Sequence, residues 1–200
     1  MKEKTDLRII RSKFMIRKAF LTLLEEKGYH NITVTDISKK SMINRKTFYS
    51  HYETKSALYN EIVDDTLSML EPLTLLKKGH DIKDDFQITQ VIKILDNVKK
   101  QRLVFKILME DTTSNDFSHK LKATLSNILV NNINISITAE QTGIPLELLK
   151  NVYSSIFIEI IKWWIYQNNV SSSDAANKMF SIFSKNILLM LDVKDIYSTH

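Results

Sequence analysis

A chain of 200 residues with 44% hydrophobic and 26% charged side chains can bury a sizeable core, which excludes a disordered polyelectrolyte. It has no cysteine, which excludes disulfide frameworks and thiolate metal centres and fits a reducing compartment. The net charge of +5 is uneven: residues 1–60 carry a surplus of +7 and residues 61–200 a balance of −2, so only the N-terminal part is a candidate for binding a polyanion.

Three glycines and two prolines are too few for the turns of a many-stranded protein and favour long helices, so the predicted fold class is all-α. Met1–Asp6 is charged and no signal-peptide core follows it. The most apolar run, Ile156–Ile165, is broken by Glu159 and Lys162 and falls short of the ~20 apolar residues a membrane span requires. The expectation is a cytoplasmic protein without a membrane partner.

In chain order, Leu7–Lys27 reads as an amphipathic helix with Ile9, Ile16, Ala19, Phe20, Leu23 and Leu24 on one stripe, stopped by Gly28. Thr33-Val34-Thr35-Asp36 fits a capping box in which Asp replaces the usual Glu, so a second helix runs from Val34 to near Ser41. Asn44 caps a third, Arg45 to about His51, and Thr54 a fourth, Lys55 to about Leu70, which ends before Pro72. Two short helices across a three-residue turn, flanked by longer ones, form a helix-turn-helix. Ile37, Ile43, Phe48 and Tyr52 are spaced to meet Phe20 and Leu24. Arg45, Lys46, Thr47, Tyr49, Ser50 and His51 are left facing outward.

Four more helices are expected, at about 86–110, 116–139, 146–168 and 173–192, after a charged spacer Lys77–Asp85 that contains Gly79. The sequence divides into a helix-turn-helix domain over residues 1–54 and a helical regulatory and dimerisation domain over 55–200. Helices 146–168 and 173–192 are apolar around much of their circumference. The first carries Leu148, Leu149, Val152, Ile156, Phe157, Ile160, Ile161 and Trp164; the second carries Met179, Phe180, Ile182, Phe183, Ile187, Leu188 and Leu191. One face can meet the core, and the surplus predicts a homodimer through these last two helices.

The stretch Ile32 to Leu58 resembles the DNA-binding signature of the TetR family of bacterial regulators in residue type and spacing. It reads Thr33-Val34-Thr35-Asp36-Ile37, then Ile43-Asn44-Arg45-Lys46-Thr47-Phe48-Tyr49-Ser50-His51-Tyr52, then Lys55-Ser56-Ala57-Leu58. The resemblance implies a homodimer bound to double-stranded operator DNA, with an inducer pocket in the C-terminal domain. It places Thr47, Tyr49, His51 and Lys55 at phosphate-touching positions, and Asn44, Arg45, Lys46 and Ser50 at base edges or their flanking phosphates. Thr33 and Thr35 complete the DNA-binding set. Met42 and Lys46 depart from the family pattern, which often has glycine at both places. Further on, Ile161-Lys162-Trp163-Trp164, Asn168-Asn169-Val170 and the serine-rich helix start are similar to regulators of the dihydroxyacetone-kinase type, without naming an effector.

Catalysis finds no foothold. The histidines, His30, His51, His80, His119 and His200, show no i, i+4 pair, so no metal site is expected. No nucleophile-elbow sequence and no glycine-rich phosphate loop occurs, so neither an enzyme nor a cofactor is expected. Aromatic residues such as Tyr153, Trp163 and Trp164 fit a core as well as a pocket, so the ligand-binding residues stay unassigned. The function expected is a sequence-specific regulator, a repressor released by a small-molecule effector or protein partner. The alternatives are an adaptor that recruits a second protein, and an all-α enzyme.

Overall fold

The computed structural model describes residues 7–70, 84–111, 116–132, 135–179 and 181, which form α-helices joined by turns, with no strand among them. The helices are α1 (Leu7–Lys27), α2 (Val34–Ser41), α3 (Arg45–His51), α4 (Lys55–Ser68), α5 (Asp84–Lys100), α6 (Arg102–Glu110), α7 (Asp116–Asn132), α8 (Ile135–Thr142) and α9 (Leu146–Tyr166), with α10 over 172–179. They gather into two compact units. One comprises the described residues of Met1–Ser68 and Gln101–Ala123, and the other those of Met69–Lys100 and Thr124–His200. None of these helices is long and apolar enough to cross a membrane.

The first unit is built on apolar stripes at helical spacing. Ile16, Ala19, Phe20, Leu23 and Leu24 of α1 are buried, together with Ile37 of α2, Phe48 of α3 and Leu58, Tyr59, Ile62 and Val63 of α4. Removing a large apolar side chain from water contributes about 1.5–3 kcal/mol, so this shared core fixes the short helices α2 and α3, which are too short to persist alone. The predicted limits of α1, α2 and α3 coincide with those observed. Ile9 is an exception to the stripe and is 46% exposed, and Ile43 is half-buried. Gly28 ends α1 at φ 71°, a left-handed conformation that glycine adopts without strain, and its N–H donates to the carbonyl of Leu24 at 2.9 Å.

The helix expected over 86–110 is two helices. α5 ends at Lys100, and Gln101 (φ −110°, ψ 20°) leaves helical geometry before α6 begins. The break falls where the chain passes between the units: Ile94, Leu95 and Val98 of α5 are buried in one, and Phe105, Ile107 and Leu108 of α6 in the other. No glycine or proline marks the place. Between α7 and α8, residues 133 and 134 lie outside the described residues, as do most of the spacer Lys77–Asp85 and the predicted helix beyond residue 181, with Phe180, Ile182, Phe183, Ile187, Leu188 and Leu191.

In the second unit α9 buries Leu149, Ile160, Ile161, Trp164 and Ile165. The Trp164 ring is 2% exposed and its indole N–H donates to the carbonyl of Leu95 at 3.4 Å. Ser171 opens α10, its hydroxyl oxygen accepting from the Asp174 N–H at 3.0 Å and donating to the Asp174 carboxylate at 2.7 Å. The neighbouring Ser172 hydroxyl donates to Asp96 of α5.

Candidate nucleic-acid interface

The turn between α2 and α3 is closed by backbone geometry. Just past α2, Met42 adopts the left-handed conformation (φ 57°, ψ 33°). Its N–H donates to the carbonyl of Lys39 at 3.2 Å, and the Ile43 N–H to that of Ser38 at 3.0 Å. This is a Schellman ending, for which glycine is the ordinary residue. Methionine is tolerated there because its side chain, 91% exposed, meets nothing. The Asn44 side chain then accepts from the Lys46 N–H at 2.9 Å and starts α3.

Within α3 Phe48 is wholly buried and packs edge-on against Tyr49 and obliquely against Tyr52. With Phe48 inward, Arg45, Lys46, Tyr49 and Ser50 lie exposed, and Thr47 and His51 half-buried. Arg45 and Lys46 take no part in an ion pair among the described residues, so two full cationic charges are presented to solvent. Tyr49 is 47% exposed.

Of the remaining predicted site residues, Thr33, Ser50, His51 and Lys55 already bond within the protein. The Thr33 hydroxyl accepts from the Asp36 N–H at 3.1 Å and donates to the Asp36 carboxylate at 2.7 Å. The Thr33 N–H donates to the same carboxylate at 2.8 Å, completing the predicted capping box. Hydrogen bonds from Lys27 and Thr33 hold the Asp36 carboxyl well below the usual carboxylate range. Thr35 is half-buried on the first turn of α2. The Ser50 hydroxyl donates to the carbonyl of Thr47 at 2.8 Å. His51 Nε2 lies 2.6 Å from Ser12 Oγ, tying the end of α3 to α1; burial, and then the charge of Lys13, hold this imidazole below its ordinary pKa. Lys55 Nζ donates to the carbonyls of Tyr29 at 2.7 Å and Ile32 at 2.8 Å, over the Tyr29 ring.

One polar cluster was not anticipated. Glu61 of α4 accepts from Lys13 Nζ at 2.9 Å, Arg17 Nη1 at 3.0 Å and the Tyr52 hydroxyl at 2.7 Å, and Arg17 also reaches Asp65 at 2.6 Å. Burial would raise the Glu61 carboxyl, but the bonds from Lys13, Tyr52 and Arg17 outweigh it and leave its pKa lowered. The cluster fixes α1 and α4 to Tyr52, which closes α3. A signal for it stands in the sequence: Lys13 and Arg17 are one helical turn apart, as are Glu61 and Asp65, which gives two opposite charge rows on helices that share a core.

A scaffold of two longer helices thus holds a short helix whose outer face is cationic and aromatic. Residues 16–62 match the family model of bacterial regulatory proteins of the tetR family, and residues 88–186 match that of a transcriptional regulator C-terminal region. The chain belongs to the TetR family. As a TetR-family member it is a DNA-binding transcriptional regulator. It is 32% identical over 75 residues, 38% of each chain, to the negative regulator IcaR of the biofilm operon icaADBC in Staphylococcus epidermidis. It is 34% identical over 56 residues, 28% of this chain and 30% of the other, to the dhaKLM operon activator DhaS of Lactococcus lactis subsp. lactis. Matches to the first curated relatives span from a fifth to under two fifths of those proteins' own length. A solved TetR transcriptional regulator from Streptococcus agalactiae superposes with a TM-score of 0.59 at 28% identity, covering 88% of this chain and 96% of that one. Both findings agree with the TetR-family resemblance read from residues 32–58.

Proposed function

We propose that this regulator is a homodimeric repressor that reads a two-fold symmetric operator with α3. The observation that carries the reading is the exposure of Arg45 and Lys46 on a helix whose opposite face is locked by Phe48. Arginine can donate two hydrogen bonds to the edge of guanine, whereas a lysine ammonium suits a phosphate. Tyr49, Thr47 and Thr35 supply further donors on the same side, and the N–H groups of the Asn44 amide remain available while its oxygen caps α3. Thr33, Ser50, His51 and Lys55 contribute by shaping the surface, since each already makes at least one polar bond within the protein.

The second protomer is expected on the exposed face of α9, where Leu148, Val152, Trp163 and Tyr166 are 37–53% exposed and lie on one side of the helix. This row continues into an open groove of about 490 Å³ that is lined by Ile156, Ile160, Trp163 and Met179 and rimmed by Glu159 and Lys178. A homodimer would bury these faces against each other and set two reading helices at one helical turn of DNA. A ligand or protein bound to the C-terminal region would release the operator; a differential affinity of a few kcal/mol suffices, since ~1.4 kcal/mol is tenfold. The expected location is the cytoplasm, where the operator is.

Selection of bound fragments from random DNA is the test. A palindromic consensus, with Arg45→Ala relaxing preference at one base position per half-site by ~1–3 kcal/mol, is the expected result. No enrichment of any sequence would overturn the reading, and a uniform loss across sequences for Arg45→Ala would move that residue to a phosphate.

A further inference from the structure

We propose that Lys55 is a positioning residue for operator binding: its ammonium clamps the connector between α1 and α2 and thereby fixes the first turn of α2, instead of neutralising a phosphate. The inference rests on the reading of α2 and α3 as the DNA-binding surface and concerns how that surface is held.

The connector is a short path with one demanding peptide in it. After Gly28 the chain makes a single 3₁₀ turn, Tyr29–Asn31, and Ile32 then anchors it, 2% exposed. The peptide between Ile32 and Thr33 is held at both ends. Its carbonyl accepts from Lys55 Nζ at 2.8 Å, and its N–H donates to the Asp36 carboxylate at 2.8 Å. Thr33 is the residue that caps α2, so the plane of this peptide sets the direction in which α2 departs. Tyr29, at the other end of the 3₁₀ turn, offers its carbonyl to the same ammonium at 2.7 Å and the face of its ring at 4.1 Å from the centroid. An ammonium has three N–H donors. Two end on carbonyls, and the charge rests on an aromatic face, which compensates the loss of water.

A second tie acts in parallel. Lys27, the last residue of α1, donates to the Asp36 carboxylate at 2.9 Å, so the first turn of α2 is held from α1 by Lys27 and from α4 by Lys55. Each lysine is thus committed in part to the protein, and turning fully to a phosphate would give up these partners. For Lys55 that exchange would leave the Ile32 carbonyl without the donor it has here and take from the Tyr29 carbonyl one of its two, in a half-buried place, which is costly. Arg45 and Lys46 face no such exchange.

The experiment measures operator affinity of the full-length protein from low to moderate KCl for wild type and for Lys55→Met, Lys55→Gln and Lys55→Arg, using the operator returned by selection. Hydrogen exchange of the backbone amides is followed in the DNA-free protein alongside. The clamp predicts that Lys55→Met weakens binding about tenfold or more at every salt concentration while the slope of log affinity against log salt stays parallel to wild type. It also predicts faster exchange of the amides of residues 33–36, with those of α3 unchanged. Lys55→Arg should restore both readouts, and Lys55→Gln, which keeps a donor but no charge, should restore them in part. A slope flattened by about 0.9, with exchange at 33–36 unchanged, would make Lys55 a phosphate contact and overturn the proposal. So would Lys55→Gln behaving no better than Lys55→Met. Should Lys55→Met not fold, the Gln and Arg variants decide on the same two readouts. If wild type selects no DNA sequence, the reading of the surface fails, while exchange at residues 33–36 still decides whether the clamp exists.

Discussion

The helix-turn-helix and the outer face of α9 are both exposed, yet they are made in opposite ways. The backbone of α3 is tied down by the Asn44 cap, by the contact of His51 with Ser12 of α1 and by the bond from Tyr52 to Glu61 of α4, so the turn that carries the outward groups is fixed by directional bonds. On α9 the outward row is Leu148, Val152, Trp163 and Tyr166, apolar or amphipathic side chains whose stabilisation depends on what covers them. A surface fixed by directional bonds keeps its geometry without a partner, whereas an apolar row relies on the area that covers it. Adjacent tryptophans display the difference within one helix. Trp164 is locked by Leu95 and covered by Lys99, and Trp163 is 37% exposed at the groove.

The contrast is broken most forcefully by a pair of substitutions. Phe48→Ala removes the side chain that turns α3 outward, and its cost should be about 3–5 kcal/mol, seen as a large drop in the urea midpoint together with loss of operator binding. Trp163→Glu puts a charge on the α9 row. It should leave the unfolding midpoint nearly unchanged under conditions where the protein is monomeric, and should convert a dimer into a folded monomer by light scattering. If Trp163→Glu unfolds the chain, α9 uses that face for its own core and the contrast fails.

Next in size is Glu61→Gln, which keeps the volume but weakens the bonds from Lys13, Arg17 and Tyr52. A loss of about 1–3 kcal/mol is expected at neutral pH. The sign of its pH dependence follows from a folded pKa that is depressed. The stabilisation is complete above the ordinary carboxyl pKa of about 4.3 and fades as the pH falls through the lowered folded value. Asp36, also lowered, acts in the same sense. Urea titrations at neutral and acid pH should therefore show the gap between wild type and Glu61→Gln closing in acid. A gap that stays constant would mean that the variant acts through packing.

The smallest effect should be a gain. Met42→Gly relieves a left-handed non-glycine residue and should add about 0.5–1 kcal/mol, because the side chain that is lost makes no contact. A loss in the urea midpoint would show that the turn's conformation is not the strained one described above.

The sequence made the helix-turn-helix legible because its signals are local. Caps at Thr33, Asn44 and Thr54 lie within three residues of the N–H groups they satisfy, and Phe48 and Tyr52 fall at helical spacing. Met42 stood out as unusual in the sequence, and the reason is its conformation. What escaped was long-range. The four bonds that meet at Glu61 and Asp65 join residues 9 to 48 positions apart, and the Lys55 clamp spans 23 and 26. The break at Gln101 escaped for another reason: it falls where the chain passes from one unit to the other, and the residue itself carries no turn signal.

That break has a consequence for synthesis. The unit that contains α3 is not continuous in the chain: its described residues include those of Gln101–Ala123, while those of Met69–Lys100 belong to the other unit. At a translation rate of ~5–20 residues per second, the helix-turn-helix leaves the ribosome seconds before the α6 residues Phe105, Ile107 and Leu108 that finish its unit. A nascent chain therefore exposes α3 before α6 has been made, and a chain cut short between residues 69 and 100 would lack the α6 residues of that unit.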